Sequence, residues 1–416
     1  MSALGLDAAL PWEQARDVAA RAGQHRTTRA YARLDEAAGS VLATDVVSLL
    51  DDPDADSAAT DGFAFRGEGP WTVVDAAQGL QPGDACAVRR GDVVPHHTDA
   101  VLAAENCHVR ALADGRALVT ATDALTGLPD DLLRPSFGTD IVRTAQWGQA
   151  GRVLAHAGSV VTPAVIAAAA AAGHEELEVL RPPVVGVLVL GARLLDRGLP
   201  RDGRVRDALG AAVTAFVGAL GARGNPAVRA PDTEALLLRE IDDAAVDVLI
   251  TTGATDPGAG SLLRRVLRDL GAHWLVDGVM CSPGAQVLLV RLPDGRLLLG
   301  LPGTPTSALA AVATIAPPLI GGLRGDAPLG DAPSVRLSGD VPPADVDGDT
   351  VLVPARVRGA DVSVAPDMPG FAPSAALAMW AHADAIAVVP AGRPHEARLL
   401  DACGRPWGPS APSRDT

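Results

Sequence analysis

From Val184 to Leu190 the chain carries no polar side chain. A strand with one wet face alternates; an unbroken apolar run reads as a strand of a parallel sheet covered on both faces. Two further runs, Val246–Thr251 and Arg296–Leu299, lead into Gly-containing turns and then helix-like stretches. From Pro183 to about Leu323 strand and helix patterns alternate. Val205–Leu220, Ser261–Leu270 and Thr306–Ile315 read as helices, and Asp232-Thr233-Glu234 opens another with acids at its positive end. Such alternation points to an open α/β sheet, where ligands bind at the carboxyl ends of the strands.

Three turns would share that edge: Leu190-Gly191-Ala192, Thr252–Gly260 and Gly300–Thr306. A Gly turn opening a helix exposes N–H groups at the helix's positive end, which suits an anion. In the last turn Gly303 permits close approach, Thr304 and Thr306 offer hydroxyls, and Pro305 can start the helix. There is no Gly-Lys-Ser/Thr of a Walker loop and no dinucleotide fingerprint. Singly, such turns are usually structural; three at one edge point to a phosphate-bearing ligand.

Around this segment, Ala8–Ala22 has helical spacing, and residues 40–145 hold short strand-like runs: Val41–Val47, Trp71–Val74, Ala85–Arg89, Ala100–Ala103 and Ala117–Thr120. Residues 150–180 return to helix, then strand. In Ala164–Ala172, Thr162 reads as N-cap, Pro163 as the first helical residue and Gly173 as the stop. Pro328–Pro342 reads as a linker. Short strands (Thr350–Val353, Asp361–Ala365, Ala385–Val389) follow, with a polar tail Gly408–Thr416. The β-rich stretch reads as an insertion. The expected division is 1–40 with 146–182, then 41–145, 183–326 and 327–410.

A net charge of −15 disfavours nucleic acid as partner. The start Met1–Asp7 lacks the basic n-region of a signal peptide. No apolar run reads as long as the roughly 18–20 residues that span a bilayer, so the expectation is a cytoplasmic protein without a membrane partner. The 4 cysteines, at 86, 107, 281 and 403, follow no zinc or disulfide spacing, as fits reduced thiols. The pair His96-His97 has no third ligand nearby. All 35 basic side chains are Arg, which binds phosphate but does not relay protons.

Residues 183–323 resemble the molybdopterin-binding domain of the molybdopterin molybdotransferase family, which includes the E domain of gephyrin. The family's Ser-Thr-Gly-Asp-Glu-Leu is represented by Val189-Leu190-Gly191-Ala192-Arg193-Leu194, and its Gly-x-Ile-x-Asp-Ser-Asn by Gly203-Arg204-Val205-Arg206-Asp207-Ala208-Leu209. Its Thr-Ser-Gly-Gly-Val-Ser-x-Gly appears as Thr251-Thr252-Gly253-Ala254-Thr255-Asp256-Pro257-Gly258, and Lys-Pro-Gly-Lys-Pro as Ser282-Pro283-Gly284-Ala285-Gln286. Gly-Leu-Pro-Gly-Asn-Pro appears as Gly300-Leu301-Pro302-Gly303-Thr304-Pro305. Outside this domain, Ala58-Ala59-Thr60-Asp61-Gly62-Phe63-Ala64, Thr98–Leu102 with Glu105, Gly138-Thr139-Asp140-Ile141 and His382–Pro390 follow family segments in order.

The resemblance implies an α/β multidomain fold. Its parts are a central α/β molybdopterin-binding domain with a mixed or parallel sheet, an inserted β-rich module, an extended helical N-terminal domain and a small C-terminal β domain. It implies insertion of molybdenum from molybdate into adenylated molybdopterin, with Mg2+, in a cytoplasmic homodimer that can meet other cofactor-biosynthesis proteins or molybdoenzymes. Asp61 and Asp140 are then the catalytic candidates, with Asp61 also the metal candidate. Gly191, Asp207, Thr252, Gly253, Thr255, Gly258, Pro283, Gly284, Pro302, Gly303 and Thr304 are the cofactor-binding candidates. Several charged family positions differ. Ala192-Arg193 replaces Asp-Glu, Ser282 and Ala285 replace two lysines, Ala259 and Ser261 replace acids, and Arg90-Gly91-Asp92 replaces Thr-Gly-Ala. Asp256 adds negative charge at its turn, and Arg90 or Arg193 could return positive charge. The alternative is a catalytically degenerate paralogue that binds molybdopterin or acts as a scaffold.

Overall fold

The computed structural model describes residues 9–24, 27–75, 77, 79–123, 126–130, 133–230, 233–257, 261–365 and 373–407. Gly258, Ala259, Asp232 and the tail Gly408–Thr416 lie outside them. The chain divides into two compact units: Met1–Tyr31 with Gly39–Ala43 and Glu178–Thr416, and Ala32–Ala38 with Thr44–Leu177. Among the described residues the α-helices are α1 (Trp12–Gln24), α2 (Pro163–Ala171), α3 (Gly210–Ala219), α4 (Glu234–Asp243), α5 (Leu262–Asp269), α6 (Pro305–Arg324) and α7 (Pro373–Ala381).

In the first unit, Val184–Leu190 pairs in parallel with Val248–Thr252, which pairs in parallel with Leu297–Leu301. Leu288–Arg291 and His273–Asp277 extend the sheet antiparallel, so it is mixed. The apolar runs are explained by burial on both faces. Val185, Val187, Val189, Ile250 and Leu299 belong to one core with Val213 and Val217 of α3 and residues of α6. Leu188, Leu190, Leu249 and Leu298 join Leu237 and Ile241 of α4 and Leu263 and Leu267 of α5 in another.

Three sequence expectations are corrected here. Val205–Leu220 is not one helix: Val205–Arg206 pairs with Leu194–Leu195, and α3 begins at Gly210. The Asp207 carboxylate explains the late start, since it accepts from the N–H groups of Leu209 (2.9 Å) and Gly210 (3.1 Å). Pro328–Pro342 is not merely a linker, because Ser334–Ser338 is a strand. Thr306–Ile315 is only the start of α6, which runs to Arg324 and is long and apolar enough to cross a membrane. It is instead a core helix, with 78% of that stretch buried.

Helix α6 continues through Pro317 and Pro318, which lack the N–H groups that would bond the carbonyls of Ala313 and Thr314. Arg16 of α1 supplies the replacement. Its Nη1 donates to Ala313 O at 3.1 Å and Thr314 O at 3.0 Å, and its Nη2 to Gly404 O at 3.2 Å. The guanidinium also lies 4.8 Å from the centre of the Trp12 ring. Desolvation pushes its pKa down to about 10, which leaves it charged at neutral pH. The helices cross closely because a Cβ on Gly23 would lie 2.3 Å from Leu319 O, and one on Gly322 2.5 Å from Ala20 O.

The strands Ser334–Ser338, Thr350–Arg358, Asp361–Val364, Ala385–Val389 and Glu396–Asp401 close into a small barrel, each pairing with two others. Leu337, Val351, Val353, Ala387 and Leu399 fill it. Val279–Ser282 pairs with Thr350–Val351 on one side and Leu10–Pro11 on the other. The segment leading into the Pro283-Gly284 loop is therefore stitched to the barrel.

The second unit carries a sheet in the order Cys107–Ala111, Ala117–Thr122, Trp71–Val73, Asp84–Val88, Gly62–Phe65, Ala100–Ala103, with Pro129–Asp130 also pairing Ala117–Thr122. Phe65, Trp71, Leu102 and Val119 form a core beneath it. Helix α2 has Thr162 as N-cap, its side chain accepting from Val165 N at 3.3 Å.

Candidate functional site

The parallel ladders place three turns side by side at the carboxyl edge of the sheet. Gly253 N donates to Leu301 O at 2.8 Å, and a Cβ on Gly303 would lie 3.5 Å from the Gly253 Cα. A cleft of about 480 Å³ opens there, lined by Gly191, Ala254, Asp256, Pro257, Ser261 and Arg265, among others.

The turn after Val248–Thr252 is built on two successive left-handed residues, Gly253 (φ 88°) and Ala254 (φ 58°). Ser261, the N-cap of α5, accepts from Arg264 N at 3.4 Å, and its hydroxyl donates to the Ala254 carbonyl. Arg264 Nε donates to the Thr255 carbonyl at 3.1 Å. The N–H groups of Ala254, Thr255 and Asp256 donate no hydrogen bond among the described residues. Consecutive unengaged amides beside positive-φ backbone suit an anion. The neighbouring Gly191 turn is fixed by Arg229, whose Nη2 donates to Gly191 O (2.9 Å) and Ala192 O (3.1 Å).

The expected cofactor-binding residues fall into two groups. Gly191 borders the cleft, Gly253 sits between it and the Leu301 strand end, and Gly303 and Thr304 are exposed on the adjoining turn. Thr304 caps α6 with no side-chain hydrogen bond, so its hydroxyl is not consumed by the helix. By contrast Thr252, Thr255 and Pro302 are buried, and Asp207 is engaged in starting α3. For Thr252 and Thr255 only the backbone is on offer. Gly284 packs against the start of α6, where its Cβ would lie 3.1 Å from Ala311 N, and Pro283 beside it is half-buried.

The two positions where the family resemblance places lysines are buried here, Ser282 at 5% exposure and Ala285 at 7%. Ser282 Oγ donates to Asp345 Oδ2 at 2.8 Å. Burial, then the nearby Asp345, raises the carboxyl of Asp349 above the usual range. Burial also pushes the Cys281 thiol up, which makes it an inert core thiol.

Asp61 and Asp140 belong to the second unit and are exposed. Their segments are joined there: Ile141 pairs with Ala58, and Ala59 N donates to Asp140 O at 2.8 Å. Asp61 Oδ1 accepts from Arg90 N at 2.8 Å. Among the described residues no group of three His, Cys, Asp or Glu side chains could hold a metal ion. With Ala192-Arg193 in place of two acids, the donors among the described residues do not fit a divalent-cation site.

Sequence reading missed Arg229 and Arg264. The contacts by which they hold the turns are to backbone carbonyls, which leave no mark in a sequence.

Residues 10–173 match the model of the MoeA N-terminal region (domain I and II), and residues 186–321 that of a probable molybdopterin binding domain. A molybdopterin molybdenumtransferase of Staphylococcus aureus (strain Mu50) is 26% identical over 383 residues, covering 86% of each chain. One from Staphylococcus epidermidis is 26% identical over 382 residues, with the same coverage. In fold, the chain is similar to a molybdopterin biosynthesis MoeA protein from Pyrococcus horikoshii, at TM-score 0.72 and 21% identity over 95% of this chain and 99% of that one. Matched along both of its units and in the order of its turns, the chain belongs to the MoeA family of molybdopterin molybdenumtransferases.

Proposed function

We propose that the protein acts in molybdenum cofactor biosynthesis as a molybdopterin molybdenumtransferase. The observation that carries this is the cleft at the carboxyl edge of the α/β sheet, with its three unengaged amides. Molybdopterin, arriving adenylated, is the substrate, and molybdate is the second. The phosphate of the pterin lies against the N–H groups of the 253–257 turn, with the Thr304 hydroxyl and the start of α6 as further donors. Arg193, exposed and in the same unit as the cleft, returns some of the positive charge removed with the lysines.

Asp61 and Asp140 are assigned to the chemistry because their segments follow the family's order. Mg2+ is not given a step, since the donors among the described residues do not fit it. A homodimer, a cytoplasmic location, hand-over to other cofactor-biosynthesis proteins or molybdoenzymes, and the four-part division of the chain complete the proposal.

The test supplies adenylated molybdopterin and molybdate and follows formation of active cofactor. Turnover is expected, falling at least about tenfold in Asp61→Ala, which corresponds to the loss of about 1.4 kcal/mol of transition-state stabilisation. Absence of turnover, or an Asp61→Ala variant equal to its parent, sinks the reading.

A further inference from the structure

Arg264 is only 3% exposed, yet no apolar reason accounts for a guanidinium there. Helix α5 does not need it for capping, because Ser261 already serves its N-terminus. Its Nη1 pairs with Asp277 Oδ1 at 2.6 Å, its Nε holds the Thr255 carbonyl, and the Trp274 ring centre lies 5.4 Å away. Among the described residues Nη2 has no hydrogen-bond partner.

Ser261 and Arg264 together turn two successive carbonyls, those of Ala254 and Thr255, toward the first turn of α5. These peptide bonds are trans, so the N–H groups of Thr255 and Asp256 point the opposite way. The two side chains thus hold a turn that contains the left-handed Ala254 and keep its amides out of internal hydrogen bonds. The guanidinium is neutralised by Asp277, so what it gives the turn is geometry and not net charge.

We infer that Arg264 is the positioning residue of an oxyanion subsite on the 253–257 turn. It acts through the Thr255 carbonyl to present backbone N–H groups to a phosphate-class ligand. The inference rests on the reading of the cleft as an anion site, and is independent of molybdenum transfer. Other charged groups at the turn are Asp256 and Arg265, with Glu234 3.9 Å from Arg265.

The experiment titrates pyrophosphate against the full chain and follows amide hydrogen exchange of the 251–257 segment. In the unaltered protein pyrophosphate is expected to slow that exchange. R264Q is expected to weaken pyrophosphate binding by at least about tenfold and, before any anion is added, to speed exchange at Gly253, whose N–H is bonded to Leu301 O. R264K keeps a charge but lacks the Nε that reaches Thr255, and is expected not to restore binding. R264Q/D277N removes both charges of the pair, the buried guanidinium and the partly exposed carboxylate, and serves where R264Q alone does not fold; the same loss is expected. Unchanged affinity in R264Q/D277N, full rescue by R264K, or a turn that pyrophosphate does not protect overturns the inference. Failed molybdenum transfer with these pyrophosphate results intact sinks the transferase reading and supports the subsite alone.

Discussion

Ala254 adopts φ 58°, a region that costs an L-residue with a Cβ about 1–2 kcal/mol relative to glycine. Strain of this kind concentrates at ligand sites and is held by its surroundings, here by Ser261. Ala254→Gly should therefore raise stability, by up to about 1 kcal/mol after the extra chain entropy of glycine is counted; thermal unfolding reads it directly. Two carboxylates give opposite pH signatures. Asp349 is raised, by burial first and Asp345 second. The stabilising effect of its proton is complete below the ordinary carboxylate pKa and is lost as pH rises through the folded value. Asp349→Asn should then increase Tm at neutral pH and lose that advantage near pH 3, about a unit below the ordinary value. Asp56 is lowered, chiefly by the Thr144 N–H at 2.8 Å, with Arg143 at 2.7 Å acting against partial burial. Its contribution is present above the ordinary pKa and fades as pH falls through the folded one. Asp56→Asn should lower Tm at neutral pH and match the parent in acid.

Among the elements, α6 shows how a broken rule is repaired. Two prolines remove two helical hydrogen bonds, and one arginine from another helix supplies a donor to both orphaned carbonyls. Arg16→Met should cost about 3 kcal/mol, since buried carbonyls would be left unpaired. Adding Pro317→Ala and Pro318→Ala to that variant returns the missing N–H groups and should recover part of the loss; a double-mutant cycle by chemical denaturation measures it. The apolar strands were legible in the sequence because burial on both faces writes itself into composition. The full extent of α6 was not, because Pro317-Pro318 reads locally as a stop and its remedy lies 297 residues away. The three turns were legible through their glycines. The buried state of Thr252 and Thr255 was not, since a hydroxyl carries no signal of the side it faces.

At the level of the whole molecule, the first unit is not a row of separable pieces. Val279–Ser282 follows directly on the α/β strand His273–Asp277 and takes partners from Leu10–Pro11 and Thr350–Val351, so one strand joins the N-terminal segment to the barrel. A chain ending after Arg324 would strip that strand of one partner, expose barrel-covered core and remove the Gly404 contact of Arg16. It should aggregate rather than leave a stable α/β domain; size-exclusion chromatography of the truncated chain decides this. Barrel closure was hidden in the sequence because Ser334–Ser338 is short and sits among prolines and glycines. Its place is set by pairing with Asp361–Val364 and Glu396–Asp401, not by its own composition.

The Arg16 contact also sets an order of events during synthesis. Helix α1 emerges well before the carbonyls that receive its guanidinium, which follow 297 residues later. At about 5–20 residues per second this is a wait of roughly 15–60 s. Through that interval α1 has a charged group on its future core face and no helix to lie against. A ribosome-bound chain should therefore leave its N-terminal segment open to protease until α6 has cleared the tunnel, with protection arriving late and in a single step.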